Sequence, residues 1–202
     1  MASSDARDKT RRQFLKSAVL SGAGLAAGRI PGLSAATTPR QPLTLVKGGE
    51  STYSICISQA ASPSEKHAAE ELQRFLQEIS GARLPVVTDA DKPGGSLVLV
   101  GNSTLVEPFV SKIEKLGPEG FVLRTAGDRV LIVGGRERGT LYGVYTFLEK
   151  LGCRWFTRDV SVIPKKSTLF VEPLDEIEKP AFEYREPYFT EACDKDWPPA
   201  TR

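Results

Sequence analysis

The sequence predicts an α/β fold: one mixed β-sheet with helices packed on it, a sandwich of two or three layers. Three observations carry this expectation. Apolar residues recur at three- and four-residue steps in two stretches, Ala68, Ala69, Leu72, Phe75, Leu76, Ile79 and Leu141, Val144, Tyr145, Leu148, Leu151, the period of a helix with one buried stripe. Short apolar runs of strand length alternate with them. The segment "GFVLRTAGDRVLIVGG" (120–135) reads as a hairpin about Ala126-Gly127-Asp128. Hairpins interleaved with helices favour one mixed sheet covered by helices.

In order along the chain, "LTLV" (43–46) and "YSICIS" (53–58) read as strands separated by a turn at Gly48-Gly49. Ser62-Pro63-Ser64-Glu65 is a capping box with proline at the first helical position, so a helix starts there. Gly81 is placed to end it, and His67, Glu71, Arg74 and Glu78 fall on its polar face. "RLPVVTD" (83–89) and "SLVLVG" (96–101) read as inner strands. A poorer helix is predicted over 105–116, interrupted by Pro108. The second helix follows the hairpin and ends at Gly152, after which Trp155 and Phe156 are expected to re-enter the core. Residues 168–171 read as a looser strand. "EPLDEIEKP" (172–180), with its two prolines and its charges, reads as a linker. Leu72, Phe75, Leu76, Leu141, Tyr145 and Leu148 are the predicted core contacts joining both helices to the sheet.

The chain has 202 residues and a formal net charge of +2, but the basicity is local. "TRRQFLK" (10–16) places Arg11 and Arg12 before Phe14, Leu15 and Lys16, and a weakly apolar Ala/Gly-rich stretch follows. This is the pattern of a twin-arginine export signal, with small residues at 33–36 for cleavage. Residues 1–36 hold six of the 27 basic residues and two of the 25 acidic ones, so the remainder carries a net charge of −2. The expected location is therefore periplasmic or extracellular, with no membrane anchor after cleavage. The charge leaves no footprint for nucleic acid.

Candidate chemistry is sparse. His67 is the sole histidine and lies on a solvated helix face, with no Ser or Cys placed as its nucleophile. The three cysteines, Cys56, Cys153 and Cys193, show no metal-ligand spacing. Buried free thiols are the preferred reading for Cys56 and Cys153, with a disulfide between them as the alternative. "VLIVGGRERG" runs a strand into Gly134, Gly135 and Gly139 before a helix, which resembles a phosphate-binding turn. It matches neither glycine-rich nucleotide motif, so tight-turn glycines are favoured. Glycosidase chemistry needs two carboxyl groups held roughly 5–10 Å apart across a sugar. Glu183, Glu186 and Glu191 cluster only near the C-terminus, and no pair, metal site or cofactor site is predicted. Tyr142, Tyr145, Phe147, Trp155 and Phe156 could form a sugar-stacking platform, but their spacing favours the core.

The segment "GPEGFVLRTAGDRVLIVGGRERGTLYGVYTFLEKLGCRWF…VIP" (117–164), with "AAEELQRFLQEISGARLPV" (68–86) upstream, resembles the N-terminal domain of alpha-glucuronidases of glycoside hydrolase family 67. A similar domain precedes the barrel in beta-N-acetylhexosaminidases. The resemblance implies an accessory α/β domain over residues 43–178, after the signal (1–36) and a short linker (37–42). Its implied partner is a (β/α)8 catalytic barrel. "PAFEYREPYF" (180–189) resembles the entry into that barrel's first strand, so residues 179–202 would be its truncated start. A barrel needs roughly 250 residues and 22 follow Pro180. The expectation is thus a truncated or split chain without catalytic residues, in which Arg185 is the one candidate sugar contact. The implied process is polysaccharide breakdown, of the xylan type. The rival readings are a stand-alone carbohydrate-binding module, which calls for a row of exposed aromatics, and a small catalyst, which calls for a pocket of converging carboxylates.

Overall fold

The computed structural model describes residues 41–110, 113–157 and 159–182. A six-stranded mixed sheet forms its centre, in the order β10-β5-β6-β4-β2-β3. The strands are β2 (Ser54–Ile57), β3 (Val86–Thr88), β4 (Leu97–Val100), β5 (Phe121–Ala126), β6 (Arg129–Gly134) and β10 (Asp175–Glu178). β3, β2, β4 and β6 run parallel, while β5 is antiparallel to both β6 and β10. Two helices, α1 (Pro63–Ser80) and α2 (Gly139–Leu151), cover one face. The mixed sheet and its two helices are the architecture expected from the sequence.

Side chains alternate across the strands, so each residue commits to one of two cores. Ile55, Val98, Val100, Leu123, Val130 and Ile132 face the helices and pack with Leu72, Leu76, Val144 and Leu148. Cys56, Leu97, Leu99, Val122, Leu131 and Val133 face the other way, against Val106, Val110 and Leu116. That second layer is the segment predicted as a helix over 105–116. It is instead a run of tight turns, with Val106 N donating to Ser103 O (3.0 Å) and Phe109 N to Val106 O (2.9 Å), then a 3-10 helix at Ile113–Leu116. Pro108 has no N–H to continue an α-helical ladder. Val106, Val110 and Leu116 of the segment are buried and Leu105, Phe109 and Ile113 partly so, but its described backbone is not α-helical.

Four further expectations change. Residues 172–180 are not a plain linker, because β10 completes the sheet beside β5. Arg124 Nη2 reaches Asp175 at 2.6 Å and Lys150 Nζ reaches Glu176 at 2.8 Å, and an edge strand with acidic residues at three of its four positions resists adventitious pairing. β3 is the opposite edge rather than an inner strand, and its Val86 is 39% exposed. Phe156 follows Trp155 but stays outside at 65% exposure, on the hairpin of β7 (Arg154–Trp155) and β8 (Ser161–Val162). Leu141 is only partly buried, whereas Phe147 is fully buried. The remaining strands, β1 (Leu43–Val46) and β9 (Leu169–Val171), pair as a separate antiparallel ribbon. Leu45, Val46, Leu169 and Val171 of that ribbon join the helix-side core. Cys56 and Cys153 are free and buried.

Candidate functional site

The carboxyl ends of β4 and β6 hold a linked set of polar contacts. α1 is capped as the sequence predicted: Ser62 Oγ accepts from Glu65 N (3.2 Å), and Glu65 Oε2 accepts from Ser62 N (2.8 Å). The other carboxylate oxygen has a second task. Glu65 Oε1 accepts from Asn102 N at 2.9 Å, just past the end of β4. Glu65 is 3% exposed, so this capping carboxylate ties the start of α1 to the central strand. Gly101 stands at φ +79°, and a Cβ there would meet Glu65 Oε1 at 2.6 Å. Asn102 Nδ2 in turn donates to Gly134 O at 3.3 Å, bridging β4 to β6. Asn102 Oδ1 and Ser103 Oγ are buried and have no hydrogen-bond partner among the described residues. Beside them lies a cavity of about 370 Å³, lined by Asn102, Ile113, Gly117, Pro118, Gly135, Arg136 and Glu137.

The glycines of "VLIVGGRERG" are packing residues. A Cβ on Gly135 would lie 1.7 Å from Gly117 O, and one on Gly139 would lie 2.3 Å from Gly120 O. Backbone meets backbone here with no room for a side chain. Gly135 N donates to Gly120 O (2.9 Å), and Arg138 N and Gly139 N donate to Pro118 O (3.1 and 3.0 Å). Of the N–H groups that a phosphate could draw on in this turn, those of Gly135, Arg138 and Gly139 are thus engaged within the protein.

A second polar cluster lies across the two helices. Tyr145 Oη donates to Glu71 Oε2 at 2.8 Å, and Arg74 donates to the same carboxylate through Nε (3.0 Å) and Nη2 (2.8 Å). Burial alone would push the Glu71 carboxyl upward, but the hydrogen bonds from Arg74 and Tyr145 outweigh it and hold it below the ordinary range. Burial, then the bond to Glu71, raises the Tyr145 hydroxyl strongly. Glu71 was expected on the solvated face of α1, yet its side chain is 12% exposed because Tyr145 and Arg74 close over it. His67 remains on that face, 4.0 Å from Glu70.

Among the described residues, the carboxyl groups of Glu71 and Asp91 are both held below the ordinary range, the latter through hydrogen bonds from Thr88. A proton donor to a leaving oxygen needs the opposite shift. Groups of three or more metal-ligating side chains are absent among the described residues. Of the aromatic residues considered as a sugar platform, Phe147 and Tyr145 are buried, and Tyr142 and Trp155 pack partly against the core. Arg185, Glu183, Glu186, Glu191, Cys193 and the Arg11-Arg12 motif lie outside the described residues. The sequence reading found the Ser62–Glu65 cap but missed Asn102. Its available signal was a Gly-Asn pair directly after the four buried residues of β4.

The model of the Glycosyl hydrolase family 67 N-terminus matches residues 46–147, half of the chain. The chain belongs to that family. The match runs from the end of β1 into α2, so this family 67 N-terminal domain includes Glu65, Asn102 and the glycine turn within its matched range. The probable alpha-glucuronidase A of Aspergillus terreus is 33% identical over 128 residues, which cover 60% of this chain and 15% of that protein. The chain therefore spans a small part of the length of such relatives. A family GH115 4-O-methyl-alpha-glucuronidase with specificity for decorated arabinogalactans shares the fold. It superposes with a TM-score of 0.53 at 23% identity, over 70% of this chain and 19% of that one. The GH20 beta-N-acetylhexosaminidase of Streptomyces coelicolor aligns at a TM-score of 0.49 and 19% identity, over 73% of this chain and 25% of its own.

Proposed function

We propose that this family 67 N-terminal domain is the non-catalytic accessory domain of an exported alpha-glucuronidase-like glycoside hydrolase acting in xylan breakdown, with a (β/α)8 catalytic barrel as its partner. The observation that carries this reading is the proportion of the match: the aligned region fills 15% of an alpha-glucuronidase, which leaves the bulk of such a protein to a separate catalytic part. The exposed apolar side chains Phe156, Val160 and Val162 of the β7–β8 hairpin agree with a supporting role, because they suit contact with another domain better than contact with water. On this reading Arg185, in the segment resembling a barrel's first strand, contacts sugar only once a barrel is assembled around it.

The test is incubation of the purified chain with aldouronic oligosaccharides and aryl glycosides. The accessory reading expects no turnover above a blank. Turnover abolished by Glu183→Gln, Glu186→Gln or Glu191→Gln would establish a small catalyst instead. Export is tested separately. Replacing Arg11 and Arg12 with lysine should hold the precursor in the cytoplasm, and an undiminished periplasmic yield would overturn the twin-arginine route.

A further inference from the structure

We propose that the cavity at the carboxyl ends of β4 and β6 is a binding site for a neutral sugar ring, gripped through neighbouring hydroxyl groups. In open α/β sheets, ligands bind outside the carboxyl ends of strands, where adjacent strands send their connections to opposite faces. β4 and β6 form such a pair. The chain leaving β4 covers the face carrying Val106, Val110 and Leu116, and the chain leaving β6 enters α2 on the other face. The crevice between them is the cavity of about 370 Å³, near the lower end of the usual range for ligand sites.

Its lining fits a sugar. Ile113 and Pro118 supply an apolar wall for ring C–H groups, and Gly117, with nothing within 4 Å of where a Cβ would stand, allows close approach. Asn102 contributes a side chain whose Nδ2 is fixed on Gly134 O while Oδ1 stays without a partner, and Ser103 Oγ beside it is likewise unpaired. Buried polar atoms are rarely left so in a finished structure; both are enclosed beside the cavity rather than open to it, so a ligand hydroxyl or bridging water would satisfy them with a small shift of the wall. At the exposed rim, Arg136 offers donors and the adjacent Glu137 offers acceptors, the complement of a vicinal diol. Their charges cancel, which argues for a neutral ligand over an anion, and the engagement of the Gly135, Arg138 and Gly139 N–H groups with protein carbonyls leaves a phosphate fewer donors. The preference for a sugar over another polyol rests on the accessory-domain reading. The site itself does not.

The experiment titrates the full chain with D-xylose, xylobiose and glycerol while amide shifts are followed by NMR. The site expects saturable shifts with xylose or xylobiose at Asn102, Ile113, Gly117 and Gly135, with a Kd on the order of 1 mM, and none with glycerol. Arg136→Ala combined with Glu137→Gln, both on exposed side chains, should weaken binding about tenfold or more while leaving the remaining spectrum unchanged. Asn102→Ala should abolish binding, and the rim variant keeps the test decisive if that protein is unstable. No saturable shift up to about 50 mM, equal binding of glycerol, shifts centred on Phe156 instead, or indifference to the rim variant would each overturn the proposal. The readout is binding to this chain alone, so a failure of the accessory role, seen as turnover, remains distinguishable from a failure of the site.

Discussion

Tyr145 Oη donates to Glu71 Oε2 at 2.8 Å, joining α2 to α1 across 74 residues of sequence. Around this bond Arg74 stacks its guanidinium over the Phe75 ring at 3.9 Å, and the rings of Phe75, Tyr145 and Trp155 meet edge to face. Tyr145→Phe keeps the rings and removes the hydroxyl. The expected cost is about 1–3 kcal/mol by urea denaturation, because the partly buried carboxylate loses a donor.

The same pair gives a pH dependence. The folded pKa of Glu71 lies below the ordinary value of 4.5. Its contribution is therefore complete above pH 4.5 and is lost as pH falls through the folded value. Tyr145→Phe should reduce the depression, so the variant should lose less stability than the parent on acidification from neutrality to below pH 4.5. Parallel denaturation curves in which both proteins lose the same stability would show that Arg74 alone sets the shift.

Glu65 makes a matched prediction at the other end of α1. Its carboxylate accepts from Ser62 N and Asn102 N. Glu65→Ala removes both acceptors from a buried place and should cost about 2–5 kcal/mol. Glu65→Gln retains one acceptor oxygen and should cost distinctly less. Gly101→Ala attacks the contact from the other side, since its Cβ has no room beside Glu65 and φ there is +79°. Thermal melts that leave Gly101→Ala equal to the parent would contradict the geometry.

The core was legible where side-chain period and burial coincide. Leu72, Phe75, Leu76, Tyr145 and Leu148 were placed correctly because a stripe of helical period must face the sheet. Leu141 and Phe147 were not distinguished. Leu141 lies in the first turn of α2 and is only partly covered, whereas Phe147 extends the buried arc beyond the stripe that was read. β10 was hidden because "DEIE" carries three charges, and it is its backbone pairing with residues 121–124 of β5, supported by ion pairs to Arg124 and Lys150, that makes it a strand. Asn102 was hidden because its role depends on Glu65 and Gly134, 37 and 32 residues away, and no local pattern encodes that meeting. Phe147→Ala should therefore cost about 3–5 kcal/mol, with Leu141→Ala clearly below it in the same denaturation assay. Equal costs would mean that the arc buried on α2 is wider than the structure shows.

Gly135 and Gly139 test whether the turn before α2 is built for packing. Gly135→Ala puts a Cβ 1.7 Å from the Gly117 carbonyl oxygen, and no rotamer change relieves a clash between backbones. The cost should exceed about 4 kcal/mol, in the range reserved for severe core defects. It should appear as loss of soluble folded chain, with no nucleotide or phosphate able to restore it. Rescue of the variant by phosphate would instead mark the turn as an anion site.

The two described cysteines should be chemically silent in the folded chain. Burial pushes each thiol up to about 11, Cys56 among Leu97, Leu99 and Leu131 and Cys153 in the helix-side core. At pH 8 about one thiol in a thousand would be thiolate, and the thiolate is the reactive form. They belong to cores on opposite faces of the sheet, so a disulfide between them would require the sheet to part, given its limited reach between Cα atoms. In a Cys193→Ser background, a thiol reagent at pH 8 should therefore label neither site until denaturant is added, and then both together in one cooperative step. Prompt labelling of Cys153 alone in native buffer would show that the end of α2 opens independently of the sheet. A single disulfide forming under mild oxidant would show that the faces assigned to these two residues are wrong.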